Sequence, residues 1–192
     1  MGKSFKMKKA IFFDRDGVIN KEVFRKKLNK WTAPHKISEV KIKKKTLKVI
    51  NELKEKNFFF FVISNQPDYA LGLTSLKNLK LVHGKIKEIL QKNSISIKKY
   101  FYSYRHEKSI IKKLGPPCFD RKPKPFFLNK AKKKYNLDLK NSWIVGDRYT
   151  DIDCGKKAGL KTIGIKSNIY SFNRSKPDYL IKNINELLDI ID

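Results

Sequence analysis

The stretch NFFFFVIS, residues 57–64, carries six consecutive large apolar side chains before it turns polar. A half-buried strand alternates apolar and polar residues, so an unbroken run of this length demands cover on both faces. That requirement points to a parallel sheet sandwiched between helices. The rest of the chain supplies the partners. KAIFFD (9–14), KKYFYSY (98–104), SWIVGD (142–147), KTIGI (161–165) and PDYLI (177–181) read as further strands. Between them lie helical patterns. Leu47, Ile50 and Leu53 recur at three-residue spacing, predicting a helix over 43–56. Leu76, Leu79, Val82, Ile86, Ile89 and Leu90 predict another from Thr74 to Gln91. Helices are also expected over 125–135, 150–159 and 184–191, the first opening on Pro125, a residue suited to a first turn. Residues 18–37 read as a long polar connection containing Trp31 and Pro34. The prolines of GPPCFDRKPKP exclude both helix and central strand there. The expectation is one three-layer α/β/α, Rossmann-like domain over residues 1–192, with a mostly parallel sheet, no repeats and no linker.

In open α/β sheets ligands bind at the carboxyl ends of the strands. Four strands end in polar clusters: Asp14-Arg15-Asp16-Gly17, Ser64-Asn65-Gln66, Gly146-Asp147-Arg148 with Asp151 a turn further on, and, after the proline-rich loop, Arg121-Lys122. Carboxylates, a hydroxyl, amides and cations gathered at one edge suit phosphoryl transfer. A carboxylate serves as nucleophile, magnesium takes carboxylate and phosphate oxygens, and donors and cations hold the equatorial oxygens.

Charge raises a competing expectation. The 192 residues carry a formal net charge of +27, through 39 lysines and six arginines. Nucleic-acid surfaces lean on arginine for bidentate contacts, whereas here Lys, Ile, Asn, Phe and Tyr, all encoded by A/T-rich codons, rise together. The lysine excess therefore reads as solvated surface, with no specific nucleic-acid partner. No apolar run is long enough to cross a bilayer. The basic start MGKSFKMKKAIFF shows no cleavage-like site, and Gly2 with Ser4 fits an acylation pattern poorly. Cys118 and Cys154 form no disulfide framework. A cytoplasmic, monomeric protein is expected.

The ordered motifs FFDRDG, VISN, RKPKP and IVGDRYTDI resemble those of the haloacid dehalogenase superfamily of phosphatases. The resemblance spans roughly residues 8–165. It implies that Asp14 is the nucleophile, forming an aspartyl phosphate, and that Asp16 is the general acid and base. Ser64, Asn65 and Lys122 would hold the phosphoryl group. Asp14, Asp147 and the Asp16 carbonyl would bind Mg2+, supported by Asp151 and Arg148.

DRDGVIN, the NQ after VIS, and RKPKP are similar, more narrowly, to the branch of heptose-bisphosphate and histidinol-phosphate phosphatases. In that branch residues matching Asn20, Gln66 and Arg121 belong to the substrate pocket. The implied activity is Mg2+-dependent removal of the 7-phosphate from a heptose 1,7-bisphosphate, feeding surface polysaccharide synthesis. Histidinol phosphate, a nucleic-acid 3′-phosphate end and a non-catalytic binding module are the alternatives. The chain has no room for a large cap domain, so loops such as 20–35 around Trp31 would close the site. Leu71 stands where the branch commonly has an arginine. Of the branch's usual Cys/His zinc set only His106 and Cys118 remain, with Asp120 as an alternative oxygen ligand and Tyr104 as a poor substitute. Structural zinc is not expected, and His106 reads as a plain loop residue.

Overall fold

The computed structural model describes residues 7–191, so residues 1–6, read above for a leader or acylation signal, lie outside the described residues. In chain order the elements are β1 (Ala10–Phe13), β2 (Val23–Arg25), β3 (Lys30–Thr32), α1 (Lys44–Leu53), β4 (Phe59–Asn65), α2 (Leu76–Lys92) and β5 (Ile97–Ser103). They continue with α3 (Phe126–Tyr135), β6 (Trp143–Gly146), α4 (Tyr149–Ala158), β7 (Lys161–Ile165), β8 (Tyr179–Ile181) and α5 (Leu187–Ile190).

Six strands form one sheet in the order β5-β4-β1-β6-β7-β8, and every pairing in it is parallel. All four residues of β1 are fully buried. Their alternation divides the core in two, as a pleat must. Ile11 and Phe13 pack with Phe60, Val62, Ile50 and Ile86 on the face covered by α1, α2 and α5. Ala10 and Phe12 pack with Phe61, Ile63, Leu128 and Ala131 on the face covered by α3 and α4. The Phe12 and Phe61 rings stack with centroids 4.8 Å apart. The phenylalanine run is thus consumed by two cores rather than one.

The chain runs outward from β1 to β4 and β5, then crosses back to β6 on the other side of β1. The direction of winding reverses between β1 and β6. A crevice opens at the carboxyl ends of such a pair, and here those ends carry Asp14 and Asp147.

The connection over 18–37 is more structured than its polarity predicts. It folds an antiparallel hairpin, β2 with β3, in which the Phe24 and Trp31 rings lie 5.3 Å apart. Two three-residue strands carry too little apolar alternation to register as strands in a sequence, and Asn29 in the left-handed conformation (φ 44°) makes the turn. The helix expected over 43–56 is α-helical only to Leu53, continues as a 3-10 turn over Lys54–Lys56, and stops at left-handed Asn57. The helix expected from Thr74 begins instead at Leu76, because the Ser75 hydroxyl caps it by accepting from the Asn78 amide at 3.1 Å. The expected terminal helix reduces to a 3-10 turn and the four-residue α5.

Candidate active site

β1 delivers Asp14 to the crevice, and the Asp14 amide donates to the Val145 carbonyl at 2.9 Å, fixing its position against β6. The chain then turns tightly: the Gly17 amide donates to the Asn20 carbonyl at 2.7 Å. Gly17 has φ 96°, and a Cβ there would lie 1.9 Å from Asp147 Oδ2. Only glycine meets both conditions. The DRDG turn is therefore shaped around the carboxylate that follows β6.

Lys122 is the cation of the site. Its Nζ donates to Asp14 Oδ1 at 2.8 Å and to the Ile63 carbonyl at 2.9 Å, and it lies 2.5 Å from Asp151 Oδ1. The ammonium is buried, and Asp14 and Asp151 outweigh the burial to raise its pKa well above the usual lysine value. Asn65 holds the Lys122 backbone from both sides. Its Nδ2 donates to the Lys122 carbonyl, and its Oδ1 accepts from the Lys122 amide, each at 3.0 Å. Asp151, in the first turn of α4, accepts the Arg148 amide at 3.1 Å.

Ligand oxygens of Asp14, Asp147 and Asp151 all lie within 4.8 Å of one another, and all three residues are buried. Burial, then the charges of Asp14 and Asp151, push the Asp147 carboxyl up to about 8. Burial likewise raises the Asp151 carboxyl, with Asp14 adding repulsion and Lys122 opposing it. Asp147 Oδ1 is buried with no hydrogen-bond partner among the described residues. Three crowded acids with one lysine between two of them leave negative charge unbalanced. An all-oxygen set with an orphaned carboxylate oxygen fits a hard divalent cation such as Mg2+.

Asp147 lines a smaller pocket of about 280 Å3 with Gly17 and Lys43, whereas Asp14, Asp151 and Lys122 open into a cavity of about 610 Å3. Asp14, Asp16, Ser64, Asn65, Arg121 and Lys122 lie along its wall. The hairpin contributes Trp31 and its neighbours on one side, as expected of loop 20–35. A strap after β7, including Tyr170 and Arg174, lines the other side. Arg148 also faces the cavity; its guanidinium lies 3.9 Å from the Tyr170 ring centroid, is 2.5 Å from the Tyr170 hydroxyl and pairs with Glu22 Oε1.

Two residues expected in the pocket are placed behind it. Asn20 is fully buried, accepting the Lys41 amide at 2.9 Å and donating to Asp16 Oδ1 at 3.2 Å. Gln66 is 1% exposed and donates to Asp16 Oδ2 and Ser64 Oγ. Neither lines the cavity. The Asp16 side chain likewise turns toward these donors and stands outside the three-acid cluster.

His106, read as a plain loop residue, lines the cavity, with Nδ1 accepting the Lys108 amide at 3.1 Å. Cys118 is buried as a free thiol, and Asp120 accepts from Ser103 Oγ at 2.6 Å. The cavity also takes in Glu22, Tyr170 and Arg174, which no sequence motif marks. They sit in segments without a motif, and only Glu22, two residues beyond DRDGVIN, carried any positional signal.

Known proteins resemble the chain in sequence and in fold. Residues 119–187 match the family model described as HAD-hydrolase-like. The chain is 32% identical over 152 residues to the D-glycero-alpha-D-manno-heptose-1,7-bisphosphate 7-phosphatase of Photorhabdus laumondii, covering 79% of each chain. It is 29% identical to the protein of that name in Campylobacter jejuni, covering 94% of each. A crystal structure of a HAD-like phosphatase from Mesorhizobium loti superposes with a TM-score of 0.79 at 26% identity, covering 96% of this chain and 85% of that one. The D,D-heptose 1,7-bisphosphate phosphatase of B. bronchiseptica, complexed with magnesium and phosphate, shares the fold with a TM-score of 0.75 at 20% identity, over 95% of this chain and 97% of that one.

Proposed function

The chain belongs to the haloacid dehalogenase phosphatases, in the heptose-bisphosphate phosphatase branch, and from that premise we propose that it removes the 7-phosphate of D-glycero-D-manno-heptose 1,7-bisphosphate. The single observation that carries this reading is Lys122, which bridges Asp14 and Asp151 at the floor of a cavity ringed by further cations. A phosphoryl group entering there meets a nucleophile and its counter-charge together.

In this reading an Asp14 oxygen attacks phosphorus while the leaving alcohol takes a proton from Asp16. Asp16 then takes a proton from the water that hydrolyses the aspartyl phosphate. Ser64, Asn65 and Lys122 hold the equatorial oxygens. Asp14, Asp147 and the Asp16 carbonyl would hold Mg2+, with Asp151 behind them; bound there, the ion neutralises charge on the transferring phosphoryl group. Arg121 and Arg148 offer guanidinium forks to the remoter phosphate. The free thiols Cys118 and Cys154 suit the reducing cytoplasm in which we place the enzyme, acting as a monomer on a soluble sugar phosphate.

The test is phosphate release from the two heptose 1,7-bisphosphate anomers, histidinol phosphate and a 3′-phosphorylated oligonucleotide, by the wild type and by Asp14→Asn. One of the heptose anomers should give the highest specificity constant. Asp14→Asn should lower its turnover by about three orders of magnitude or more. Retention of more than about a tenth of the activity removes Asp14 from the nucleophile's role.

A further inference from the structure

Asp16 lines the cavity, yet protein donors already surround its carboxylate. Oδ2 accepts from Arg15 Nε at 2.9 Å, from Arg15 Nη2 at 2.7 Å and from Gln66 Nε2 at 2.8 Å. Arg15 Nη2 also donates to Gln66 Oε1 at 2.6 Å, which closes a triangle of Arg15, Gln66 and Asp16. Among the described residues Oδ1 has one protein donor, Asn20 Nδ2 at 3.2 Å, and that amide nitrogen makes a shorter bond of 2.6 Å to the Lys21 carbonyl. The two oxygens of one carboxylate are thus unequal.

Arg15 is itself 1% exposed, the largest of the fully buried side chains. Its guanidinium lies 5.3 Å from the Tyr102 ring, whose hydroxyl is 2.8 Å from His83 Nδ1 on α2. A buried guanidinium is a costly residue to retain. In a chain with 39 lysines and six arginines, arginine stands where a planar fork must grip one oxygen twice. A lysine supplies the charge without the fork.

We propose that Arg15 is a positioning residue for proton transfer: with Gln66 it clamps Oδ2, so that Oδ1 is the oxygen of Asp16 that carries the proton to the substrate. This rests on the reading of Asp16 as acid and base given above. In the first step the bond from Asp14 to phosphorus forms and the bond from phosphorus to the alkyl oxygen breaks. The Oδ1 proton passes to that oxygen, so the alcohol leaves neutral and Asp16 is left a carboxylate. In the second step water attacks phosphorus, its proton passes to Oδ1, and the bond to Asp14 breaks to release phosphate. On this account Asn20 serves the substrate through Asp16, and Gln66 through Asp16 and through Ser64, whose Oγ it also holds.

The clamp makes a leaving-group prediction that a purely structural salt bridge does not. An alkyl leaving group needs the proton, while 4-nitrophenolate departs without it. Single-turnover rates of alcohol or nitrophenol release report the first step alone. With the full chain and Mg2+, Arg15→Met should slow release from heptose 1,7-bisphosphate about 10²–10³-fold, the range of a general acid's contribution, with KM nearly unchanged. Release from 4-nitrophenyl phosphate should change less than about threefold, since no proton is delivered. Arg15→Lys should recover only a small part of the alkyl rate, and Gln66→Leu should show the same skew more weakly.

Equal losses on both substrates, or no loss on either, overturn the clamp. If Arg15→Met gives no cooperative melt, Arg15→Lys and Gln66→Leu decide by the same criteria. Failure of the underlying reading is seen separately, as a wild type that does not hydrolyse heptose 1,7-bisphosphate or an Asp14→Asn that still does.

Discussion

His83 shows how one half-buried side chain writes itself into the stability of the fold. Burial comes first, then the charges of Arg15 and Lys87, in pushing its pKa down from 6.5 to about 4. A group with a depressed folded-state pKa contributes fully above its unfolded value and loses that contribution as pH falls toward the folded value. The wild type should therefore lose stability between about pH 6.5 and pH 4 relative to His83→Gln, by on the order of 1–2 kcal/mol after allowing for partial exposure. Thermal melts of the two proteins across that window measure the difference; parallel curves would contradict it. Metal content is decided at the same scale. Three clustered carboxylates, and a Cys118, His106 and Asp120 that do not converge among the described residues, lead to one expectation. Chelation should abolish turnover, Mg2+ should restore it, and Zn2+ should not. Elemental analysis of the purified protein finding about one zinc per chain would refute the zinc half of this expectation.

At the scale of elements, the β2–β3 hairpin is the part of the molecule best placed to gate the cavity. Trp31 is 37% exposed and its ring packs against Phe24, itself 42% exposed. Neither ring belongs to the two cores, and Trp31 lines the cavity. Arg25 holds the hairpin to the following segment through both Glu39 oxygens at 2.6 Å, and His35 Nε2 reaches Asp68 Oδ2 at 2.7 Å. Trp31→Ala should raise KM about tenfold, equivalent to roughly 1.4 kcal/mol of lost contact. Its kcat should stay within about twofold and its Tm within about 2 °C, as for a surface substitution. An unchanged KM would show that the hairpin does not touch the substrate.

For the whole molecule, the charge of +27 is the dominant long-range property. Such a protein will bind DNA at low ionic strength whatever its function. Where many phosphates are contacted that affinity falls by orders of magnitude between about 50 and 200 mM salt. The informative comparison is turnover at physiological salt. A 3′-phosphorylated oligonucleotide should be hydrolysed with a lower specificity constant than heptose 1,7-bisphosphate. The reverse order would make the lysine surface part of the substrate site.

The sequence by itself determined the layered architecture and the ends of the strands. Runs such as AIFF and FFFFVI have no polar face to give to water, so they must be central, and the polar residues that follow them must lie at one edge. The same logic places Asp14, Ser64, Asn65 and Asp147 at one edge, with Lys122 reaching it from the proline-rich loop. Direction was beyond its reach. Whether a side chain beyond a strand faces the cavity or the protein behind it depends on torsions and on donors from distant segments. Asn20 and Gln66 therefore turn inward to Asp16, Arg15 is buried, and His106 comes to the cavity wall. The hairpin and the strap bearing Tyr170 and Arg174 were equally illegible, since three-residue strands and irregular loops carry no periodicity to read. Only tertiary structure decided them, because their positions are set by what they pack against.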